Sequence, residues 1–426
     1  MRVGIGIVGA GVVGGALASK LIDEADAIEA KSGLSLEVVK VGVRDLAKAR
    51  PFDLPADRLT DRPEDVVDDP DVQLVVELMG GLEPAGSIVQ RALEAGKPVV
   101  TANKELVASR GLELSDLAHE RGVALLYEAA VGGGIPIIRP LSQSLAGERL
   151  TRVMGIVNGT TNFILTKMTE EGAAYSDVLA EAQVLGYAES DPTADVSGAD
   201  AAAKAAILAS LAFGSWIAGD DVPRSGIDGI EVEDLIRADD LGYVVKLLAI
   251  AEESADGVAV RVKPTLVPHE HPLAAIRGAQ NAIFVEGDAI GQLLFAGPGA
   301  GGEPTATAVL GDVIDAAREL LAGAQVTPPV RFQPSRVLEA GRINTSRYYR
   351  LIVNDAPGVL ARIAEVFGDH EVSIASVWQE GMGGQATLLL VTHQAPESSH
   401  DAAVADLERL DAVAEVAAVL RVLDGD

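Results

Sequence analysis

One stretch of the chain concentrates residue types that can bind and reduce a small polar molecule. Residues 189–204 hold four acids and one lysine among mostly small side chains. Asp200 and Lys204 lie four positions apart in an alanine-rich run that favours a helix, which would place both side chains on one face. Two of the other acids, Glu189 and Asp195, precede that helix and suit the positive end of its dipole. The spacing predicts a shared ligand, and the alternative is an acidic helix start with one weak surface ion pair.

The first fourteen residues predict a dinucleotide site. An apolar run at 3–8 is followed by G-x-G-x-x-G at 9–14 and then by a helical pattern. Because glycines carry no side chain, backbone amides at the start of that helix can approach a pyrophosphate. The alternative is a structural turn, and the nucleotide would be a nicotinamide or a flavin. The predicted cofactor contacts in this turn are Gly9, Gly11, Val12, Val13 and Gly14.

The end of the next apolar run, 37–43, bears on the choice of nucleotide. Arg44 and Asp45 follow that run. An arginine at this point accommodates the 2′-phosphate of NADP, whereas an acid binds the ribose hydroxyls of NAD. Arg44 therefore favours NADP, and Asp45 leaves NAD possible. Lys48 and Arg50 add positive charge nearby, or simply form a basic turn facing solvent.

The alternation of apolar and helical runs predicts a parallel, doubly wound sheet. Ligands of such sheets bind at the carboxyl ends of the strands. This chain places Gly80, Thr101 and Lys104 just beyond two of the predicted strands, and we expect all three to contact the cofactor. Lys104 is also a candidate catalytic amine, with a surface lysine as the alternative. Glu128 opens a glycine-rich turn after the next run, 123–127, and suits a hard cation held by carboxylate and carbonyl oxygens.

A polar turn, Asn-Gly-Thr-Thr-Asn at 158–162, separates a predicted strand from a helical pattern. Its amide and hydroxyl groups suit a small polar substrate. The alternative is a capped helix start, because asparagine and threonine favour that position.

Together these motifs resemble homoserine dehydrogenase over nearly the whole chain. The most specific part runs from Gly186-Tyr187-Ala188-Glu189 through Asp191-Pro192, Asp195 and Gly198 to Asp200 and Lys204, and it matches the signature of that family. The resemblance implies an enzyme that interconverts aspartate 4-semialdehyde and homoserine with NAD(P)H. It implies that Lys104 and Lys204 are catalytic, and that the substrate contacts are Glu189, Asp200, Asp195, Gly159, Thr160 and Tyr187.

The residue types agree with that reaction. Reducing an aldehyde places negative charge on its oxygen, so a positioned ammonium can stabilise the charge and donate a proton. Acids around a lysine keep it charged and can bind the ammonium of an amino-acid substrate.

Two further sites are implied by the resemblance. Glu128 and the carbonyls of Val131, Gly133 and Ile135 resemble a structural site for a monovalent cation, expected to be Na⁺. The glycine-rich loop at 297–302 would return the chain to the nucleotide domain, with Gly301 near the cofactor. Some members of the family carry alanines in this loop, where residues 301–304 here read Gly-Gly-Glu-Pro.

The last eighty residues predict a strand–helix–strand–strand–helix–strand order, with strands at 347–353, 372–378, 386–392 and 416–422. The turn between the first strand and helix resembles that of an ACT domain, a ferredoxin-like module that senses amino acids. We expect threonine as effector near Asn354, Asp355, Gly358 and Val359, at an interface between paired modules. A purely structural oligomerisation domain is the alternative.

Composition excludes several classes of protein. The formal net charge of −29 disfavours nucleic acid and anionic membrane surfaces as partners. The chain has no cysteine, which excludes disulfides, thiolate metal sites and the thiol nucleophile that an acylating semialdehyde dehydrogenase needs. An amino-acid sensor with a relic nucleotide domain is a second alternative, but intact Lys104, Asp200 and Lys204 argue against it. A soluble, cytoplasmic protein is expected.

The predicted fold class is α/β with three domains. Residues 1–135 form a Rossmann-type nucleotide domain, and 136–325 form an α+β substrate and dimerisation domain whose helix 309–321 returns to the nucleotide domain. Residues 326–346 form a linker, and 347–426 form the ACT domain. The enzyme is expected to be a homodimer or homotetramer.

Overall fold

The computed structural model describes residues 2–323, 332, 337–381 and 384–423. It contains two compact units. The first consists of residues 1–153, 203–222 and 281–335, and the second of residues 154–202, 223–280 and 336–426. Each unit is therefore assembled from three separate segments of the chain. Among the described helices, none combines the length and apolarity that crossing a bilayer requires.

The first 126 residues alternate strands and helices. Their elements are β1 (Arg2–Val8), α1 (Val12–Asp23), α2 (Ala25–Ser32), β2 (Ser35–Gly42), β3 (Leu59–Thr60), α3 (Pro63–Asp68), β4 (Leu74–Glu77), α4 (Ala85–Glu94), β5 (Val99–Thr101), α5 (Lys104–Arg121) and β6 (Leu125–Leu126). The strands pair in parallel in the order β3-β2-β1-β4-β5-β6. This is the strand order of a doubly wound nucleotide fold, which confirms that prediction. The apolar run at 123–127 contributes only two residues to the sheet.

The middle of the chain adds long helices and antiparallel strands. These elements are β7 (Leu150–Ile156), α6 (Gly159–Glu171), α7 (Tyr175–Val184), α8 (Thr193–Val196), α9 (Ala199–Phe213), α10 (Val232–Asp240), β8 (Tyr243–Ser254), β9 (Gly257–Pro268), β10 (Gln280–Gly287), β11 (Gly291–Pro298) and α11 (Gly302–Ala322). Strands β8 and β9, of twelve residues each, form an antiparallel hairpin in the second unit. Helix α11 belongs to the first unit, where Ala306, Val309 and Val313 share a core with Ile5 and Leu17.

The carboxyl-terminal elements are β12 (Asn344–Asn354), α12 (Val359–Asp369), β13 (Ile374–Glu380), β14 (Gln385–Thr392), β15 (Ala395–Pro396), α13 (Glu397–Leu407) and β16 (Val413–Val422). The predicted order of four main strands and two helices is confirmed, with the short β15 in addition. The strands lie antiparallel in the order β16-β12-β14-β13, a ferredoxin-like arrangement. Strand β12 begins three residues earlier than predicted. Residues 326–331 and 333–336 of the predicted linker lie outside the described residues.

The second unit is built on a mixed sheet. Strand β16 pairs in parallel with β9, through Arg421 beside Thr265 and Val422 beside Leu266. The carboxyl-terminal strands thus continue the sheet that β8 and β9 begin, and a parallel contact joins two antiparallel groups of strands.

Candidate active site

The glycine turn after β1 has three different geometric roles. Gly9 has a φ of 97°, and a Cβ there would lie 2.6 Å from the backbone of Leu78. A Cβ on Gly14 would lie 2.0 Å from the carbonyl oxygen of Gly9, so only glycine lets α1 approach the turn. A Cβ on Gly11 would meet nothing within 4 Å. The turn therefore leaves open space at the amino end of α1, where the helix dipole favours an anion.

The start of α11 lies beside this turn in the first unit. Gly301 precedes the helix with a φ of 121°, and a Cβ on Gly302 would lie 3.0 Å from Cγ1 of Val12. Lys20 of α1 also pairs with Glu303, at 3.4 Å. The structure thus brings Gly301 next to the residues predicted to bind the cofactor. Glycine at 302 avoids the close contact with Val12 that a side chain would make.

Arg44 is exposed just beyond the end of β2. The neighbouring acid has a local role, because the carboxylate of Asp45 accepts a hydrogen bond from the amide of Ala47 at 2.9 Å. Arg50 also holds this turn by donating to the carbonyl of Lys48 at 2.8 Å. Backbone contacts therefore account for Asp45 and Arg50, whereas Arg44 is exposed beside this turn.

A buried carboxylate at the end of β4, Glu77, was not predicted. It is fully buried, and its Oε1 accepts from the amides of Met79 and Gly80 at 2.7 and 3.1 Å. Its Oε2 accepts from the hydroxyl of Thr101 at 2.6 Å. The only sequence signal for this role is an acid closing an apolar strand. Glu77 fixes Gly80 and Thr101, two of the predicted cofactor contacts.

The same network positions Lys104, the first residue of α5. Asn103 caps the helix, since its Oδ1 accepts from the amide of Leu106 at 3.1 Å. The Asn103 side-chain amide donates to the carbonyl of Gly81 at 2.6 Å, and its backbone amide donates to Thr101 Oγ1 at 3.0 Å. Two strand ends therefore determine where α5 begins, and with it where Lys104 is placed.

Lys204 lies on α9, in the part of that helix that belongs to the first unit. A Cβ on Gly219 would lie 3.3 Å from Cβ of Ala108 and 3.6 Å from Cα of Ala203. Ala108 is one helical turn from Lys104, and Ala203 directly precedes Lys204. Gly219 therefore lies close to both α5 and α9. Its two contact residues are within one helical turn of Lys104 and Lys204, the predicted catalytic lysines. Each lysine is partly exposed.

In the second unit, one asparagine joins two of the predicted substrate acids. The side-chain amide of Asn158 donates to Asp195 at 2.7 Å and to Asp200 at 2.9 Å. Its Oδ1 accepts from the amide of Thr161 at 2.9 Å and caps α6. The capped helix start, proposed as an alternative for this turn, therefore exists together with the contacts to the acids. Asn158 belonged to the predicted polar turn but was not among the predicted contacts.

The remaining predicted substrate contacts are more open. Gly159 begins α6, and the hydroxyl of Thr160 donates to the carbonyl of Tyr187 at 2.6 Å. Tyr187 packs against Phe163 with ring centroids 4.8 Å apart, yet it is 47% exposed. Glu189 is exposed, whereas Asp200 is buried.

Glu128 has a role that the sequence did not indicate. Its buried carboxylate accepts from the amides of Ile137, Ile138 and Arg139 at 2.6, 2.8 and 2.8 Å. Its own amide donates to Asp312 at 2.7 Å. Burial raises the pKa of Asp312, and this amide and Arg139 oppose the rise. The Glu128 carboxylate therefore holds the backbone at 137–139 in place.

The predicted carbonyl ligands follow in a tight loop of the first unit. Gly133 has a φ of 55°, and a Cβ there would lie 2.4 Å from the carbonyl oxygen of Gly299. The amide of Gly134 donates to the carbonyl of Pro298 at 3.1 Å. The loop that carries Val131, Gly133 and Ile135 is thus packed against the loop that leads to Gly301. Within the described ranges there is no group of three or more acids or histidines that could hold a metal ion.

The predicted effector region closes the turn after β12. The side chain of Asn354 donates to the carbonyl of Asp411 at 3.0 Å, and the amide of Asp355 donates to the carbonyl of Gly384 at 3.0 Å. Gly358, with a φ of 88°, precedes α12, which starts at Val359.

The chain is similar to known proteins in sequence and in fold. Residues 136–314 match the family model described as homoserine dehydrogenase, and residues 9–128 match the homoserine dehydrogenase NAD binding domain. A homoserine dehydrogenase of Synechocystis sp. is 44% identical, covering 99% of this chain and 100% of that protein. A crystal structure of a homoserine dehydrogenase from Thiobacillus denitrificans is 42% identical with a TM-score of 0.93, covering 100% of this chain and 99% of that one. A hyperthermophilic archaeal homoserine dehydrogenase in complex with NADPH is 30% identical with a TM-score of 0.62, covering 78% of this chain and 100% of that one.

Proposed function

This chain belongs to the homoserine dehydrogenase family and is an NAD(P)-dependent oxidoreductase, and on that basis we propose which residues perform the reaction. The enzyme interconverts L-aspartate 4-semialdehyde and L-homoserine. The observation that carries the residue assignment is the small-residue contact at Gly219, beside which α5 presents Lys104 and α9 presents Lys204.

The nucleotide is proposed to bind over the glycine turn. The open space at Gly11 and the free amide end of α1 suit its pyrophosphate. The other proposed contacts are Gly9, Val12, Val13, Gly14, Arg44, Gly80, Thr101, Lys104 and Gly301. Bound there, the reduced nicotinamide supplies a hydride to the carbonyl carbon. Arg44 favours NADP because its guanidinium can bind the extra phosphate in a bidentate way, and NAD is the second candidate.

The two lysines are proposed to act on the substrate oxygen. As the carbonyl carbon gains hydride, the oxygen gains negative charge, and an ammonium close to it stabilises the alkoxide. One lysine then donates the proton that completes the hydroxyl group, and the reverse reaction returns it.

The substrate amino group is proposed to bind the acids of the second unit. Asp200 and Asp195, held by Asn158, provide fixed negative charge, and Glu189 adds an exposed carboxylate. Gly159, Thr160 and Tyr187 are the remaining proposed contacts. A four-carbon amino acid with one charged end and one reacting end fits this division of roles.

An absorbance assay of reduced nicotinamide tests the function. The purified chain should reduce NADP⁺ in the presence of L-homoserine, and should do so more slowly with NAD⁺. Equal rates without homoserine, or no reduction of either nucleotide, would remove this assignment.

A monovalent cation, expected to be Na⁺, is proposed to bind the carbonyls of Val131, Gly133 and Ile135 together with Glu128. Gly132 and Gly133, with φ values of 73° and 55°, bend this loop. Such a bend allows several carbonyl oxygens to face one cation. Since the Glu128 carboxylate already accepts three amides, we expect the cation to be structural. Thermal stability should rise with NaCl more than with choline chloride at equal ionic strength, and equal rises would count against the site.

The carboxyl-terminal module is proposed to be an ACT domain that binds threonine near Asn354, Asp355, Gly358 and Val359, in a homodimer or homotetramer. Its ferredoxin-like strand order and the left-handed Gly358 before α12 support this assignment. Titrating L-threonine should lower the activity of the full chain, while light scattering gives the subunit number. Unchanged kinetics would leave the module with a structural role.

A further inference from the structure

A cavity of about 450 Å³ lies where β16 separates from β9. The two strands pair only at Arg421 and Val422, whereas β16 pairs with β12 along most of its length. Residues 416–420 of β16 therefore line the cavity with a strand edge that has no strand partner among the described residues. We call this cavity the junction pocket. Its other walls include Ser225, Gly226 and Lys263.

Three cationic side chains line the junction pocket together with the carboxylates of Asp234 and Asp401. The strand register places Arg421 directly opposite Arg347 of β12, and beside Thr265, two residues from Lys263. Arg421, Arg347 and Lys263 all line the pocket. Like charges directly opposite one another on neighbouring strands are destabilising unless an anion lies between them.

The protein neutralises this cluster only in part. Glu397 lies 3.5 Å from Lys263 and 3.8 Å from Arg347, and it also forms an ion pair with Arg421. Asp401 pairs with Arg347 at 2.8 Å but is 68% exposed.

Two of the three side-chain nitrogens of Arg421, the most buried cation of the pocket, have no hydrogen-bond partner among the described residues. Arg421 is 5% exposed, and these two nitrogens are Nε and Nη1. Burial and the neighbouring arginines lower the pKa of Arg421 and lower that of Lys263 to about 8. A buried donor without a partner is destabilising, so an anion that reaches this guanidinium gains strong charge-assisted bonds.

The wall formed by Ser225 and Gly226 contacts the proposed substrate segment. The amide of Ser225 donates to the carbonyl of Val262, and the amide of Ile227 donates to that of Val196, both at 2.9 Å. A Cβ on Gly226 would lie 2.1 Å from the carbonyl oxygen of Val196, so these backbones are in direct contact. Val196 follows Asp195, one of the proposed substrate acids.

We propose that the junction pocket binds a small metabolite through its carboxylate or phosphate group, and that this ligand modulates substrate binding through the wall at Ser225 and Gly226. The volume is that of a metabolite site. The anion contacts Lys263 and Arg421, while the remainder of the molecule lies along the open edge of β16. This site is separate from the turn at 354–358 and does not depend on threonine sensing.

Titration calorimetry of the full chain with inorganic phosphate and with malonate tests the proposal, with chloride holding the ionic strength constant. At least one probe should bind. Lys263→Gln and Arg421→Gln should each weaken that binding about tenfold or more, the range of one charge-assisted hydrogen bond. Lys167→Gln is the control, because Lys167 lies in the same unit with a side chain 23% exposed, pairs with Glu171 at 2.7 Å and does not line the pocket.

The kinetic readout is the KM for homoserine at saturating nucleotide. The bound probe should change this KM in the parental enzyme and in Lys167→Gln, but not in Lys263→Gln. If Arg421→Gln does not fold, Lys263→Gln alone decides, because its side chain is 26% exposed and tolerates a polar replacement. Binding of phosphate alone would identify a phosphorylated ligand, and binding of malonate a carboxylate. No binding of either probe, or equal affinity in all variants, would overturn the proposal.

Discussion

Two buried acids of this enzyme accept hydrogen bonds from backbone amides. Glu77 and Glu128 are buried, and together they accept five backbone amides. Amide donors stabilise a buried carboxylate without a cation. The residues that are exposed or partly exposed, including Arg44, Lys104 and Lys204, are the ones that remain accessible to reactants. We therefore test Lys204 and Arg44 by substitution.

Replacing Lys204 with alanine should lower kcat by about two to four orders of magnitude, the range for a proton donor combined with an oxyanion partner. The dissociation constant of NADPH, measured by fluorescence titration, should stay close to the parental value. Lys167→Ala is the control, since Lys167 is a helix lysine that pairs with Glu171 at 2.7 Å. Parental turnover in the Lys204 variant would exclude that side chain from the mechanism.

Arg44→Ala should discriminate between the two nucleotides. Loss of a bidentate phosphate contact should raise the KM for NADPH about tenfold while leaving the KM for NADH nearly unchanged. Steady-state kinetics with both nucleotides give the answer. Lys31→Ala, at the exposed end of α2, should alter neither value. Equal effects on NADPH and NADH would assign the phosphate to another residue.

At the scale of elements, the glycines in the turn between β1 and α1 have two roles, which are close packing and space for a ligand. Gly14 permits close packing, because a Cβ would lie 2.0 Å from the carbonyl oxygen of Gly9. Gly11 leaves open space on the outside of the same turn. The absence of a side chain at Gly14 therefore permits close packing, whereas its absence at Gly11 leaves room for the ligand.

Two alanine variants should separate these roles. Gly14→Ala should destabilise the ligand-free protein by about 1–3 kcal/mol, as overpacking does, and should be seen as a lower urea midpoint. Gly11→Ala should keep the parental midpoint but weaken NADPH binding, because its methyl group occupies the space for the pyrophosphate. The assignment would be wrong if Gly11→Ala bound NADPH with parental affinity.

The carboxyl-terminal module contains a buried histidine that responds to pH. His400 is fully buried and donates from Nε2 to the carbonyl of Thr345 at 2.8 Å, so its Nδ1 accepts from the hydroxyl of Tyr349 at 2.8 Å. Burial lowers the pKa of His400 to about 4. The unfolded chain takes up the proton near the ordinary histidine value, whereas the folded module remains neutral until lower pH. Stability from this group is therefore complete above pH ~6.5 and falls between there and pH ~4.

Between pH ~6.5 and pH ~4, His400 should lower the free energy of unfolding by about 3 kcal/mol. His400→Asn should lower stability at neutral pH but show a shallower decline in the urea midpoint between those two pH values. His393→Asn, which changes an exposed histidine, should retain the parental slope. A His400 variant with the parental slope would show that another group titrates.

At the scale of the whole molecule, the carboxyl-terminal module is part of the second unit. Strand β16 pairs with β9, and Arg350 of β12 donates to Asp234 and Glu231 at the start of α10 at 2.7 and 2.8 Å. Asp234 is fully buried, and burial raises its pKa while Arg350 opposes that rise. The module therefore contributes the cation that pairs with a buried carboxylate at the start of α10.

Arg350→Met should consequently destabilise the second unit by about 3–5 kcal/mol, because it leaves a buried carboxylate without its cation. Arg277→Met, which removes an exposed ion pair with Glu170 in the same unit, should change stability by less than about 1 kcal/mol. Urea unfolding monitored by circular dichroism compares the two variants. Similar midpoints would mean that the module and α10 are energetically independent.

The sequence by itself determined the parts of this protein that depend on neighbouring residues. The glycine turn, the alternation of apolar runs and the signature from Gly186 to Lys204 all act over short stretches, and they were sufficient to predict the parallel sheet, the family and the βαββαβ order. Local spacing specifies these features because turns, helix faces and strand alternation repeat within a few residues. The catalytic roles proposed for Lys104 and Lys204 follow from the resemblance to the family.

Tertiary structure alone decided which distant groups meet. The contacts of Glu77 with Thr101, of Glu128 with Asp312 and of Arg350 with Asp234 join residues that are 24, 184 and 116 positions apart. The continuation of β9 into β16 and the arginines of the junction pocket likewise depend on strand register. No local pattern encodes such pairings, because a buried charge is satisfied by whichever partner the packed fold brings within hydrogen-bond distance.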